Sequence, residues 1–145
     1  MNLKVLNFFG FIFMTAGYIW HFSEQPDIHQ LFKYFTMQGY FLIWLFYLLS
    51  ILGKQSLFVM SKDALFELCL IQQMMFCPLY WLLVHHYIAS GNFTPSFINW
   101  CIIYHTAPLL LLLAQLYFEG IEIRFRWRVC MLYMCLVGVP INYGN

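Results

Sequence analysis

Charge placement constrains this 145-residue chain more than any other feature. It holds seven Lys or Arg and six Asp or Glu, gathered into short clusters. Between them run four stretches with no formal charge: 5–23, 34–53, 68–118 and 129–145. A soluble globule needs roughly a quarter of its residues charged, and this chain has 9%. Lipid is therefore the predicted solvent, and depth in a bilayer becomes a coordinate on which polar side chains can be placed.

A spanning helix needs about 20 apolar residues. The chain offers five such segments, at about 5–22, 31–53, 63–88, 97–118 and 127–143. The third and fourth come from one charge-free run, divided by Ser90-Gly91-Asn92-Phe93-Thr94-Pro95-Ser96. That cluster is a turn signal, and Pro95 stands where the first turn of a helix accepts proline. No stretch sustains period-2 alternation, and the runs far exceed the ~10 residues of a barrel strand. The predicted fold is an all-α, polytopic transmembrane helix bundle of about five spans, forming one integral domain over residues 1–145. Residues 1–22 read as a retained first span, because no small-x-small cleavage site follows them.

The connecting segments set the orientation. With five alternating spans, Lys4, Lys54, Lys62, Arg124, Arg126 and Arg128 fall on one side and Lys33 alone on the other. Cytosolic loops carry such an excess, so the N-terminus is predicted to be cytosolic. The chain is expected to reside in the plasma membrane or an endomembrane. Its net charge of +1 gives no strong pull toward nucleic acid. The five cysteines lie inside apolar runs, with no CxxC pair and no metal spacing. They read as small buried hydrophobes, and no disulfide framework, metal or cofactor is predicted.

All five histidines, His21, His29, His85, His86 and His105, fall in the predicted outer half or its loop. Thr36 and His105 stand out because both lie within spans. Their helices run in the same direction, with Thr36 ~8 Å and His105 ~12 Å below the predicted helix starts. The two side chains meet if those helices touch. An ionisable group inside a membrane is costly without a partner, which makes His105 a functional candidate. The bland alternatives are an interhelical hydrogen bond for His105 and a bond from Thr36 to its own backbone. Asp63 and Glu67, at the cytosolic start of the third span, read as groups complementing the helix dipole. Trp20, Trp81, Tyr87, Trp100, Trp127 and Tyr143 read as aromatic belts.

These residues carry a family resemblance. Phe32-Lys33-Tyr34-Phe35-Thr36 resembles the W-K-Y-L-T opening of the second span in the androgen-induced gene 1 family, which includes the androgen-dependent regulator of tissue factor pathway inhibitor. Pro95-Ser96-Phe97-Ile98-Asn99-Trp100, with His105-Thr106 and Pro108, resembles that family's P-x-W-x-N-H…H-T-x-x-x-P segment. Lys62-Asp63 and Phe76-Cys77-Pro78 echo its R-D and F-P, so the resemblance covers roughly residues 5–140 in order. It implies a multi-pass membrane hydrolase of fatty acid esters of hydroxy fatty acids. Thr36 would be the nucleophile and His105 the base, with membrane lipids and a lipid ester as the molecules engaged.

A threonine hydroxyl is a weak nucleophile and needs a base within hydrogen-bond reach. Gln38, Asn99 and Tyr104 are the polar side chains at suitable depth to hold the oxyanion. The competing reading is a non-catalytic multi-pass protein that binds lipids or partner helices.

Overall fold

The computed structural model describes residues 2–24, 35–53, 62–91, 93–121, 123 and 128. The predicted fifth span, Lys33 in the outer loop and the Arg124–Arg126 pair lie outside the described residues. Among those described, every element is helical. Helix α1 is Leu3–Glu24, α2 Phe35–Leu52 and α3 Lys62–Leu79. A π-helical turn, Tyr80–Val84, leads from α3 into α4, His85–Ser90. Helix α5 is Pro95–Glu119.

Local chemistry accounts for these limits. Thr94 caps α5, its Oγ1 accepting the Phe97 amide at 3.3 Å, and Pro95 fills the first helical position. At the far end Gly120 takes a left-handed conformation (φ 63°, ψ 36°), and its amide donates to the Leu116 carbonyl at 3.1 Å. A residue with a Cβ would be strained there. The third span, predicted over 63–88, is one helical stretch, Lys62–Ser90, with a π-helical turn inside it. Pro78 has no N–H for the carbonyl four residues back, and its ring crowds that carbonyl. The wider turn at Tyr80–Val84 follows directly, as local widening commonly absorbs such a break.

Contacts between helices fix their order and direction. Trp44 Nε1 donates to Thr15 Oγ1 at 3.0 Å, and Tyr18 Oη donates to the Met37 carbonyl at 3.4 Å, so α1 and α2 are antiparallel. Phe46 packs on Phe66 between α2 and α3. Lys62 pairs with Glu119, and Trp81 Nε1 donates to Thr106 Oγ1 at 3.2 Å, between α3 or its π turn and α5. Trp20 stacks on Trp100, which joins α1 to α5. Packing therefore runs α1–α2–α3–α5 and back to α1, with α2 and α5 diagonally opposite.

The core centres on Met14, Ile43, Phe46, Tyr47, Phe66, Cys69 and Leu112. Two glycines of α1, seven residues apart, admit two tyrosines of α2 with the same spacing. A Cβ on Gly10 would lie 2.6 Å from Tyr47 Cζ, and one on Gly17 would lie 2.6 Å from Tyr40 Oη. Small residues that let bulky partners approach are a recurrent way for membrane helices to associate. Cys69, Cys77 and Cys101 are free thiols.

Outward-facing positions are apolar, with Ile19, Leu82, Leu83, Leu110 and Tyr117 exposed. Three helices, Leu3–Ser23, Lys62–Ser90 and Pro95–Glu119, are long and apolar enough to cross a membrane. These properties are compatible with an integral membrane protein.

One expectation for α3 fails. Asp63 lies exposed in the first turn, where a carboxylate suits the dipole. Glu67, one turn further along, is only 1% exposed. Residues 64–70 are all buried because α3 packs on both α2 and α5. Its carboxyl is thus an interior group and too far from the helix start to cap it.

Candidate active site

Helices α2 and α5 both begin at the end of the bundle opposite the Lys62–Glu119 pair. A cavity of about 240 Å³ opens there. Its wall takes Trp20 and His21 from α1, Thr36, Met37 and Tyr40 from α2, and Gln73 and Phe76 from α3. Helix α5 contributes the rest, including Cys101, Tyr104 and His105. Thr36 and His105, distant in sequence and on diagonal helices, thus share one cavity.

They occupy opposite corners of it. Tyr40 and Tyr104 stack across the diagonal with ring centroids 4.2 Å apart, which sets a common level. Thr36 lies one turn nearer the mouth than Tyr40, and His105 one residue deeper than Tyr104. Their axial offset is roughly 7 Å at 1.5 Å per residue. No hydrogen bond joins the two. The Thr36 side chain is exposed, and its hydroxyl has no hydrogen-bond partner among the described residues. The predicted direct meeting of α2 and α5 is replaced by a cavity, with the tyrosine stack as the link beneath it.

His105 is held by a ring. Its imidazole lies flat on Tyr80, with centroids 4.2 Å apart and planes 9° from parallel. Tyr80 Oη contacts His85 Nδ1 at 3.4 Å. Pro108, buried within α5, leaves the Tyr104 carbonyl without the amide that would ordinarily bond it four residues on.

The three expected oxyanion donors separate. Tyr104 lines the cavity; Gln38 and Asn99 do not, and Asn99 is exposed. The hydroxyls of Tyr104 and Tyr40 converge over Gly17, and neither finds an acceptor of good geometry among the described residues. Gln73 Oε1 and His21 Nε2 are likewise buried without a hydrogen-bond partner among the described residues. Buried polar atoms are ordinarily satisfied; those on His21, Tyr40, Gln73 and Tyr104 give the cavity a polar lining, while Asn7 Oδ1, Tyr47 Oη and Gln115 Oε1 are similar atoms away from it.

Sequence reasoning missed Tyr40, Cys101 and Gln73. A helical-face argument finds the first two, since Tyr40 is four residues from Thr36 and Cys101 four from His105. Gln73 has no comparable signal. Trp20 and Trp100, read from the sequence as belt residues, stack on each other at 4.7 Å and both line the cavity. Of the His85–His86 pair, His85 turns to Tyr80 and Trp81, whereas His86 is exposed.

The opposite end carries a separate polar group, in which Lys62 bonds Glu119 and Gln115 donates to Glu119. It fastens the start of α3 to the end of α5. No group of three or more His, Cys, Asp or Glu among the described residues is arranged to hold a metal ion. No protein-family model, curated protein or solved structure matches the chain.

Proposed function

We infer that this chain is a multi-pass membrane hydrolase of lipid esters, with Thr36 as nucleophile and His105 as general base. The carrying observation is that an exposed threonine hydroxyl and an imidazole line one aromatic-walled cavity. The resemblance to the androgen-induced gene 1 family at those two positions supports the same pair. It points to fatty acid esters of hydroxy fatty acids as substrate. The apolar runs support about five spans, and the six-to-one distribution of Lys and Arg across them supports a cytosolic N-terminus and a cavity opening to the non-cytosolic side. The setting is the plasma membrane or an endomembrane, where substrate enters from the surrounding lipid.

In the first half-reaction Thr36 Oγ1 attacks the ester carbonyl carbon, and His105 accepts the hydroxyl proton. The separation is too wide for a direct bond, so the transfer requires a cavity that tightens on substrate; catalytic hydrogen bonds are often loose before substrate binds. The carbonyl oxygen becomes an oxyanion beside the Tyr104 and Tyr40 hydroxyls, which converge at the cavity. The ester C–O bond then breaks and His105 returns the proton to the leaving alcohol. Water repeats the sequence on the acyl-threonine and releases the acid. Aromatic walls suit acyl chains and exclude bulk water.

The test uses purified protein in lipid nanodiscs with a fluorogenic long-chain ester. Turnover is expected, and His105→Ala should lower kcat by roughly 10²–10⁴-fold, the contribution general base catalysis makes. Absence of turnover in the wild type favours the lipid-binding scaffold. Orientation has its own test. In a background whose native cysteines are replaced by alanine, Gly91→Cys should react with an impermeant maleimide from outside intact cells, and Asn2→Cys only after permeabilisation. The reverse pattern would invert the topology.

A further inference from the structure

We propose that Tyr80 is the positioning residue for His105, taking the place that a carboxylate holds in hydrolytic triads; this rests on the hydrolase reading above. A triad carboxylate does two things: it fixes the plane of the imidazole and stabilises the imidazolium formed when the base takes a proton. No carboxylate lines the cavity among the described residues. Tyr80 supplies both functions by another route. Its ring lies flat against His105, which fixes the imidazole plane. The same ring presents its negative face to the imidazole, with centroids 4.2 Å apart, well inside the ~6 Å over which a cation over an aromatic face is attracted.

The fold over-determines where Tyr80 stands. It is 1% exposed, so it has little freedom to turn away. It opens the π turn, and the His85 amide bonds the Tyr80 carbonyl five residues back. That spacing brings residues five apart to one face, where an α-helix would set them well round its circumference. His85 therefore touches Tyr80 twice, through the backbone and through the Nδ1–Oη contact. The break at Pro78 that produces this turn acquires a purpose: it aims an aromatic ring at the base.

The cation–π part of this attraction exists only once His105 is charged, which is the condition approached in the transition state. Its loss should therefore appear in kcat and leave KM unchanged. Tyr80→Leu is expected to lower kcat by roughly 2- to 30-fold, the span that a cation over an aromatic face provides. Tyr80→Phe keeps the ring and should keep most of the rate. A series of one, two and three fluorines on Phe at position 80 changes size little and drains the ring face in steps. The expected result is a stepwise fall in kcat at constant KM. A flat kcat across that series overturns the proposal, as does a Tyr80→Phe variant as impaired as Tyr80→Leu. Either result leaves Thr36-dependent turnover standing, so the hydrolase reading survives. Wild-type protein without turnover, or full activity in Thr36→Ala, overturns that reading and this proposal together.

Discussion

Thr36→Ala is expected to lower lipid-ester turnover by ~10³-fold or more while leaving the unfolding temperature unchanged, because removing a covalent nucleophile takes away the chemical step itself. The side chain is exposed and its hydroxyl has no partner among the described residues, so little packing is at stake. Surface substitutions of this kind usually stay within about 0.5 kcal/mol of stability. Thr36→Val keeps the shape and loses only the hydroxyl, so it should be as inactive as the alanine variant. Thr36→Ser restores a hydroxyl and should recover part of the rate. Initial rates in nanodiscs, paired with melting curves on the same samples, give the measurement. A fast valine variant would place the nucleophile elsewhere.

The second large effect lies at the α1–α2 contact. A Cβ on Gly17 would sit 2.6 Å from Tyr40 Oη and 2.9 Å from Tyr104 Oη. Gly17→Val must therefore move the hydroxyl ends of the stacked pair that floors the cavity. Overpacking of this kind costs about 1–3 kcal/mol, and turnover should fall with it because the floor shifts. Gly10→Val provides the control. Its Cβ would meet the Tyr47 ring at 2.6 Å, in the half of the bundle away from the cavity. A similar loss of stability is expected there, with the remaining folded protein still active at temperatures below the transition. Unfolding can be followed by the loss of near-ultraviolet circular dichroism, since Phe46, Tyr47 and Phe66 are fully buried in the core. Equal losses of activity from the two glycine variants would remove Tyr40 and Tyr104 from the account of the site.

Which parts of this arrangement could be read before the coordinates follows from which forces act locally. Helix positions were legible because a membrane demands long apolar runs, and the start of α5 because Thr94 and Pro95 satisfy a local rule. The placement of His21, His85, His86 and His105 at one end was legible because helix direction alternates. The order of helices around the bundle was not, since four apolar helices of similar length pack in several ways. That order decides whether Thr36 and His105 touch or face each other across a cavity. The π turn needed knowledge of how the chain absorbs Pro78, which the mere presence of a proline does not specify. Glu67 was misjudged because a carboxylate near a helix start suits the dipole and a buried one depends on both neighbouring helices. The Trp20–Trp100 stack was missed for the same reason: tryptophan near a span end satisfies the belt pattern whether it faces lipid or the interior.

A hydroxyl on α2 and an imidazole on α5 are proposed to act on one ester bound between them. Covalent trapping tests this most directly. Purified protein is treated with a long-chain alkyl fluorophosphonate, digested, and searched by mass spectrometry for the modified residue. The account predicts a single adduct on Thr36 that is lost in Thr36→Val and strongly slowed in His105→Ala. An adduct on another side chain, or labelling indifferent to both substitutions, would contradict it.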